Sequence, residues 1–378
     1  MHRVLVLGGG FGGIATAVAL RRLLEPADEV VLVERRPTFV MGLRKNWGLV
    51  GSGRLADGER ALAELGDRGI RVLGGTITAI EPGARAATVD GERLDGDALV
   101  VALGAERDPA RIPGFAEHAV DLYDRASNAA GAAAIEAFEG GRIVVGIFGV
   151  PYPCPPGPFE LALLLAERLE ARGVSWAMTA FSPQPASLPI LGREGCDAFD
   201  AKLAGAGITF RPKTQATAVE AGAVVAADTR IPFDLLLGVP PHRAPRVVAE
   251  SGLTGESGWV PVDARTLETR HDSVYAIGDV TAIPLANGMP LPKAGVFAHA
   301  EGEVAAARIA DRLAGREPAA IFAGDGMCFL ETGRGSATMV RGGFFADPPD
   351  VVLGDDTPAN LDAKRAFEAD RLAAWFGR

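Results

Sequence analysis

Short apolar runs alternate with longer amphipathic stretches along the chain. The first apolar run, residues 3–7, predicts a buried strand, and the alanine- and leucine-rich stretch after Gly13 predicts a helix that ends near Leu24. A second apolar run, residues 29–33, predicts the next strand. Buried strands that alternate with helices in this way are typical of an α/β protein with a parallel sheet.

A second strand–turn–helix unit begins with the apolar residues 142–149 and continues in the helical stretch of residues 161–169. A nucleotide-binding unit would carry a glycine loop at the turn between them. Here the turn holds five prolines, from Pro151 to Pro158, together with Cys154. Proline has no N–H to donate to phosphate, and the following strand, residues 174–181, ends without an acid for a ribose. This unit is therefore not expected to bind NAD(P)H.

The turn of the first unit, residues 8–13, is rich in glycine and contains no proline. It fits the G-x-G-x-x-G spacing, in which the first glycine permits a tight turn, the second lets the backbone approach a pyrophosphate and the third lets the helix pack on the strand. An acid about 20 residues further on would accept a hydrogen bond from a ribose. The fingerprint predicts a dinucleotide site without separating FAD from NAD, and its candidate residues are Gly8, Gly10, Phe11, Gly12, Gly13, Glu34 and Arg35.

Composition and charge narrow the functional class. A chain of 378 residues is long enough for two or three domains, and a net charge of −10 argues against a general affinity for nucleic acid. The first strand begins at Val4, so no signal peptide precedes it, and a cytoplasmic protein is expected. Three cysteines are too few for a disulfide-stapled fold, and no short-range metal spacing is present, so no metal site is predicted.

Three further segments carry a family resemblance. Residues 97–105, residues 274–280 and residues 292–300 resemble signature segments of flavoproteins with two dinucleotide-binding domains. The resemblance implies FAD, with Asp279 holding the ribityl chain and a helix starting beneath the isoalloxazine. Residues 39–48 resemble the loop that passes close to the flavin, where Arg44 is a candidate, although a solvated surface charge explains it equally well. The cofactor candidates from these segments are Arg44, Ala102, Gly104, Gly278, Asp279, Lys293, Gly295 and Val296.

The cysteine turn is the most specific element of the resemblance. Residues 154–160, Cys-Pro-Pro-Gly-Pro-Phe-Glu, are similar to a motif of the flavocytochrome c sulfide dehydrogenase flavoprotein and sulfide:quinone oxidoreductase family. Cys328 falls where that family has its second cysteine, whereas Cys196 matches nothing in it. The resemblance implies that Cys154 and Cys328 form a redox-active pair that oxidises sulfide, or a related small sulfur compound, next to the flavin. Two inert buried thiols are the alternative.

Glu160 is the last residue of this motif. By resemblance it is a candidate acid/base for the reaction. The alternative is a carboxylate that only offsets the dipole of the helix it begins. Three catalytic candidates therefore follow, namely Cys154, Cys328 and Glu160.

The fold expected from these segments is α/β, with two Rossmann-type domains of the glutathione-reductase-like kind and a small C-terminal α+β domain. Residues 1–104 and 229–322 are predicted to form a discontinuous FAD-binding domain. Residues 105–228 are predicted to form the second dinucleotide-type domain, which lacks a nucleotide fingerprint. Residues 323–378 are predicted to form the C-terminal domain with a terminal amphipathic helix.

The electron acceptor implied by the family is quinone. A quinone slot needs apolar and aromatic walls, for which Phe297, Phe329, Phe344 and Phe345 are candidates, with core packing as the default role. The amphipathic residues 364–376 suggest peripheral contact with the cytoplasmic face of a membrane, with docking onto the protein as an equal alternative. Two other functions stay open, a pyridine-nucleotide flavoprotein reductase such as an NAD(P)H:quinone reductase, and a non-catalytic redox-sensing flavoprotein.

Overall fold

The computed structural model describes residues 1–227 and 229–377. Its α-helices are α1 (Phe11–Leu23), α2 (Arg44–Val50), α3 (Phe115–His118), α4 (Asn128–Glu136), α5 (Gly157–Ala171), α6 (Gly192–Gly205), α7 (Arg246–Glu250), α8 (Gly295–Leu313) and α9 (Pro358–Phe376).

The strands of the first half of the chain are β1 (Arg3–Leu7), β2 (Glu29–Glu34), β3 (Thr38–Val40), β4 (Glu59–Ala61), β5 (Arg71–Gly74), β6 (Ile77–Glu81), β7 (Ala86–Val89), β8 (Glu92–Asp95), β9 (Ala98–Val101), β10 (Glu106–Arg107), β11 (Val120–Asp121), β12 (Gly141–Ile147) and β13 (Trp176–Phe181). Those of the second half are β14 (Ile208–Arg211), β15 (Ala216–Glu220), β16 (Ala223–Ala226), β17 (Thr229–Pro232), β18 (Leu235–Val239), β19 (His242–Arg243), β20 (Val260–Pro261), β21 (Val274–Ala276), β22 (Thr281–Ala282), β23 (Asp325–Gly333), β24 (Ser336–Gly343) and β25 (Asp350–Leu353).

The first parallel sheet has the order β21-β9-β1-β2-β5. Strands β21, β9, β1 and β2 are buried along most of their length, as is typical of parallel sheets, whereas the edge strand β5 is partly exposed. Helix α1 packs closely against α8, where a side chain at Gly302 would come within 2.7 Å of the Gly12 carbonyl oxygen. The dinucleotide fingerprint lies at the carboxyl end of β1, in the middle of this sheet, which is where ligands bind in such folds.

The second parallel sheet has the order β11-β18-β12-β13-β14 and carries the cysteine turn at the carboxyl end of β12. The two parallel sheets confirm the predicted α/β class with two Rossmann-type units.

The predicted domain boundary needs a correction. Strand β18 pairs in register with β12, from Ile143 opposite Leu235 to Ile147 opposite Val239. The chain therefore leaves this sheet after Val239, and residue 228, where the boundary was predicted, lies outside the described residues.

Three antiparallel sheets of three strands accompany the parallel sheets. Strands β6-β7-β8 and β15-β16-β17 form meanders, and β23-β24-β25 form the C-terminal sheet. The described residues also form three two-stranded sheets, β3-β4, β10-β19 and β20-β22. Helix α9 packs on β23, β24 and α1, so the end of the chain returns to the first helix.

The apolar face of α9 packs against the protein. The Trp375 ring lies edge-on to Phe11 at 5.2 Å and to Phe39 at 5.4 Å between ring centroids, and Phe376 also packs on Phe39. The rings of Trp375 and Phe376 are buried in the protein, which favours docking as the role of this face, and peripheral membrane contact stays a prediction. Within the described part of the chain, every helix is too short or too polar to pass through a bilayer.

Candidate active site

The glycine loop at the end of β1 has the close approaches that its spacing predicts. A side chain at Gly13 would meet the Gly8 carbonyl oxygen at 1.8 Å, and one at Gly8 would meet the Ala102 carbonyl oxygen at 2.4 Å. Gly8 also has a φ of +110°, which residues with a side chain rarely adopt. At Gly10, by contrast, nothing lies within 4 Å of the position that a Cβ would take. The loop is therefore closely packed at Gly8 and Gly13 and open at Gly10.

The open side of the loop is suited to an anion. Helix α1 begins at Gly10 without a side-chain cap, so its first N–H groups are directed toward that side. The Glu34 carboxylate lies beside the loop and accepts hydrogen bonds from the N–H of Gly9 at 2.9 Å and of Arg36 at 3.0 Å. Arg35 is exposed. The Phe11 ring packs in the aromatic cluster with Trp375, so only its backbone remains available at the loop.

The Gly-Asp segment and the segment before α8 lie together. Lys293 is buried, and its Nζ donates to the carbonyl oxygens of Asp279 at 2.5 Å and Thr281 at 3.0 Å. Burial lowers the pKa of Lys293 to about 8 and raises the pKa of Asp279. Glu301, also buried, accepts from the Gly278 N–H at 2.5 Å, and burial raises its pKa to about 7. Helix α8 starts at Gly295 without a side-chain cap, which leaves the N–H groups of Val296 and its neighbours at an open helix end.

Arg44 forms ion pairs that the sequence did not predict. Its guanidinium forms a two-pronged ion pair with Glu368 of α9, with Nε–Oε1 at 2.6 Å and a second nitrogen–Oε2 contact at 2.7 Å. A further contact joins it to Asp57 at 3.2 Å. The structure therefore places Arg44 in a link between α2 and the C-terminal helix, and its role near the flavin stays a prediction.

The cysteine turn is fixed by backbone hydrogen bonds. The N–H of Cys154 donates to the Lys293 carbonyl oxygen at 2.7 Å, and the Cys154 carbonyl accepts from the N–H of Gly157 at 2.9 Å. Cys154 has a φ of +51°, an unusual conformation for a residue with a side chain. Its sulfur lies at the start of α5, where the helix dipole and the Gly157 N–H favour a thiolate.

Cys328 comes to the same place from β23. The two thiols are neighbours, and their interaction is the largest influence on the acidity of both groups. It lowers the pKa of Cys154, whereas the same contact together with burial raises the pKa of Cys328 well above its ordinary value. Two cysteines that are 174 positions apart in sequence (328 minus 154) thus form one site with unequal thiols. Cys196 is buried elsewhere, where its sulfur donates to the Leu188 carbonyl oxygen.

Glu160 lies in a buried charge network directly behind the cysteines. One carboxylate oxygen accepts from Asn46 at 2.9 Å, and the other accepts from the Lys364 ammonium at 2.8 Å and from the Glu331 N–H at 2.9 Å. Lys364 is 0% exposed and also donates to the Glu331 carboxylate at 2.9 Å, which in turn accepts from Trp47. Burial alone would lower the pKa of Lys364, but the two carboxylates outweigh it and the pKa is raised.

Sequence reasoning missed several members of this site. Lys364, Asn46 and Tyr123, whose hydroxyl donates to the Cys154 carbonyl at 2.9 Å, come from segments far from the cysteine turn. One signal was present in the sequence. Lys364 falls on the same face of α9 as Leu361 and Leu372, and a lysine on an apolar stripe indicates a buried counter-charge.

The predicted aromatic quinone slot is only partly assembled. Phe297 and Phe344 are buried against each other with ring centroids 4.8 Å apart, as core residues are, and Phe345 packs on Phe322. Phe329, the neighbour of Cys328 on β23, faces Phe367 of α9 with ring centroids 6.2 Å apart.

Fold and site together define a flavoprotein oxidoreductase with two dinucleotide-type domains, and comparison with known proteins agrees. Residues 2–147 match the family described as Pyridine nucleotide-disulphide oxidoreductase. The solved structure of the sulfide:quinone oxidoreductase of Aquifex aeolicus superposes with a TM-score of 0.90 at 22% identity, covering 100% of this chain and 92% of that one. The shared fold is therefore established over the whole chain.

Comparison with the sequences of known proteins indicates a more specific group of relatives. The chain is 24% identical over 306 residues to the mitochondrial sulfide:quinone oxidoreductase of Mus musculus, covering 75% of this chain and 66% of that protein. It is 27% identical to the sulfide-quinone reductase of Aquifex aeolicus, covering 76% and 70%. It is also 24% identical to the demethylphylloquinone reductase NdbB of Synechocystis, covering 83% and 80%. The predicted resemblance to the sulfide:quinone oxidoreductases is confirmed.

FAD is the cofactor of this class, and the residues present fit it. The loop at Gly8–Gly13 is closed behind by backbone and open toward the uncapped end of α1, which suits a pyrophosphate. Glu34 stands at the distance along the chain expected of a ribose acceptor. The chain is thus an FAD-dependent oxidoreductase, and the alternative of a non-catalytic redox-sensing flavoprotein is disfavoured.

Proposed function

We propose that this enzyme oxidises sulfide, or a related small sulfur compound, through Cys154 and Cys328 and passes the electrons by way of FAD to quinone. The observation that carries the proposal is the contact between these two thiols, one at the turn where a second nucleotide would otherwise bind. The sulfide:quinone oxidoreductases among its relatives support the same substrate class.

The unequal acidity of the thiols gives each cysteine a role. In the disulfide form, hydrosulfide would attack Sγ of Cys328, the bond between the two cysteines would break, and its electron pair would leave on Sγ of Cys154. Cys154 is the better leaving group because its sulfur lies at the start of α5, where the helix dipole stabilises a thiolate. The products of this step are a persulfide on Cys328 and a thiolate on Cys154. A second hydrosulfide or another thiolate would then take the outer sulfur from Cys328.

FAD, when bound, supplies the two-electron acceptor that is needed for the disulfide to form again. We propose Gly8, Gly10, Gly12 and Gly13 with Glu34 as the residues that hold its dinucleotide part. Asp279 with Lys293, and the start of α8 at Gly295 and Val296, would hold the part that reacts. The uncapped helix end there would stabilise negative charge on the reduced cofactor.

Glu160 is better described as part of the support of the cysteine site than as a free acid/base. Both of its oxygens are engaged by Asn46, Lys364 and the Glu331 N–H. Its charge and that of Lys364 act in opposite directions on Cys154, and the carboxylate raises the thiol pKa while the ammonium lowers it. The effects of Glu160 and Lys364 on the pKa of the Cys154 thiol therefore oppose each other.

Quinone is the acceptor that the relatives suggest. The half-buried ring of Phe367 faces Phe329, which is next to Cys328 in sequence, and such a pair offers an aromatic wall close to the thiol site. We place a quinone-reducing role on this side of the site as part of the proposal.

The second candidate is an NAD(P)H-dependent quinone reductase, which the 29% identity to the alternative NAD(P)H-ubiquinone oxidoreductase C1 of Arabidopsis thaliana, over 46% of this chain and 37% of that protein, favours. Against it, the turn before α5 holds Pro151, Pro153, Pro155, Pro156 and Pro158, and its Gly157 N–H is already bonded to the Cys154 carbonyl. Few N–H groups remain there for a phosphate.

Anaerobic addition of sulfide or of NADH to the purified yellow protein separates the two functions. We expect sulfide to bleach the flavin absorbance and NADH to leave it unchanged. Cys154→Ser and Cys328→Ser should abolish the bleaching, while Cys196→Ser, which changes a buried thiol outside the site, should preserve it. Bleaching by sulfide that survives Cys154→Ser would contradict the cysteine mechanism, and bleaching by NADH alone would favour the second candidate.

A further inference from the structure

We propose that Tyr123 is a positioning residue for Cys154, whose hydroxyl holds the Cys154 carbonyl and so directs the cysteine sulfur toward Cys328. The inference rests on the proposed role of the cysteine pair and goes beyond it by naming the side chain that controls its geometry.

Cys154 needs such support because its backbone conformation is unfavourable. A left-handed φ of +51° is disfavoured for a residue with a side chain because its Cβ comes too close to the backbone. The conformation is held from both sides of the residue. Its N–H is bonded to the Lys293 carbonyl oxygen, and its carbonyl accepts from Gly157 and from the Tyr123 hydroxyl. Of these three bonds, the one from Tyr123 alone comes from a side chain.

Tyr123 is itself rigidly placed. Its N–H donates to the Asp121 carboxylate at 2.9 Å, and its carbonyl oxygen accepts from the Lys45 ammonium at 3.0 Å. Its ring lies edge-on to His242, with centroids 5.9 Å apart. Burial raises the pKa of Tyr123 well above its ordinary value, so the hydroxyl keeps its proton and remains a donor at neutral pH.

Gly157 shows that the hydroxyl and the sulfur share one side of the turn. A side chain at Gly157 would lie 2.9 Å from the Tyr123 hydroxyl oxygen and 3.4 Å from the Cys154 sulfur. Both atoms therefore lie against the same point at the start of α5. Because Gly157 has no side chain, the Tyr123 hydroxyl can reach the Cys154 carbonyl without displacing the Cys154 sulfur.

The charges around Cys154 come from several elements. Cys328 on β23, Glu160 on α5, Lys364 on α9 and Lys45 on α2 all act on its thiol. Replacing Tyr123 by phenylalanine changes none of these charges, because the hydroxyl is neutral. A change in the acidity of the Cys154 thiol in that variant would therefore report a change in the orientation of the sulfur.

The test compares two tyrosines in the flavin-containing protein. Tyr152 is the matched control, since it is a buried tyrosine of the same turn whose hydroxyl donates to the Pro155 carbonyl at 3.0 Å and not to Cys154. Each protein is reduced, and alkylation of Cys154 by iodoacetamide is followed against pH by peptide mass spectrometry. We expect Tyr123→Phe to make the thiol bind its proton about tenfold more tightly, equivalent to one pKa unit, and Tyr152→Phe to behave like the unchanged protein.

Gly157→Ala provides a second, independent variant. Its methyl group would press on the Tyr123 hydroxyl, so we expect a similar change in the pH profile, and the double variant with Tyr123→Phe should show less than the sum of both effects. An unchanged profile in Tyr123→Phe, an equal change in Tyr152→Phe, or loss of flavin in Tyr123→Phe would overturn the inference. The measurement uses no sulfide, so it stands or fails separately from the proposed function.

Discussion

The N–H of Cys154 donates to the carbonyl oxygen of Lys293 at 2.7 Å. This bond joins the turn of the second parallel sheet to the segment that starts α8 and packs on the first sheet. Since the Lys293 ammonium also holds the Asp279 carbonyl, one lysine connects the Gly-Asp segment with the cysteine turn. The two halves of the site are therefore held in a fixed relation by backbone contacts.

The first prediction concerns the order of reaction of the three cysteines. In the reduced protein at neutral pH, Cys154 should be alkylated before Cys328, because its thiol has the lower pKa and the thiolate is the nucleophile. Cys196 should react last, since it is buried and burial raises the pKa of its thiol. Peptide mass spectrometry over a time course measures the order, and a faster reaction at Cys328 would contradict the assigned leaving group.

A second prediction addresses the buried lysine. Lys364→Met would leave Glu160 and Glu331 without their shared counter-charge in the interior, and losing one partner of a buried ion pair costs about 3–5 kcal/mol. The matched control is Lys202→Met, which breaks a half-exposed pair with Asp356 and should cost less than about 1 kcal/mol. Urea unfolding gives both free energies. Equal losses in the two variants would show that the network does not stabilise the fold.

Flavin retention provides a third test, at the glycine loop. Gly13→Ala would place a methyl group 1.8 Å from the Gly8 carbonyl oxygen, so helix α1 must move away from β1 and we expect the protein to be purified without most of its flavin. Gly66→Ala is the control, because nothing lies within 4 Å of its added methyl group. The ratio of flavin to protein absorbance measures the outcome, and a Gly13→Ala protein with full flavin content would argue against the assigned site.

The fourth prediction is a pH dependence of stability. Burial raises the pKa of Glu301 from 4.5 to about 7, so its contribution to stability is present below pH 4.5 and is lost as the pH rises through 7. Glu301→Gln should therefore be more stable than the unchanged protein at pH 8, by at most on the order of 3 kcal/mol, and equal to it near pH 4.5.

Glu303→Gln serves as the control for that experiment, because Glu303 lies on the same helix and is 50% exposed. It should change stability little at either pH. Urea unfolding at the two pH values gives the comparison. A Glu301→Gln protein that is no more stable than the unchanged protein at pH 8 would show that the carboxyl group is not held in the acidic form.

Much of the fold could be predicted because its signals are local. The fingerprint at Gly8–Gly13, the apolar strands and the proline-rich turn each lie within a few residues, and the structure has them where the pattern indicates. The boundary near residue 228 was wrong for a physical reason. Strand β18 is as apolar as a strand of either sheet, and only its pairing with β12 shows to which sheet it belongs.

The site was harder to predict because its partners are distant in sequence. The contact between Cys154 and Cys328 was implied by family resemblance and not by spacing. Arg44 was assigned to the cofactor because of its neighbours in sequence, whereas its partner Glu368 lies 324 positions away. The same limitation concealed Tyr123 and Lys364, since a hydrogen bond between remote segments leaves no periodic pattern.

The position of Lys364 on α9 has a consequence for how the protein matures. During synthesis α5 and β23 leave the ribosome before α9, so the carboxylates of Glu160 and Glu331 exist for a time without their ammonium partner. The cysteine turn can reach its final electrostatic state only after α9 has docked. The charge balance around Cys154 and Cys328 therefore depends on a helix that is synthesised after both cysteines.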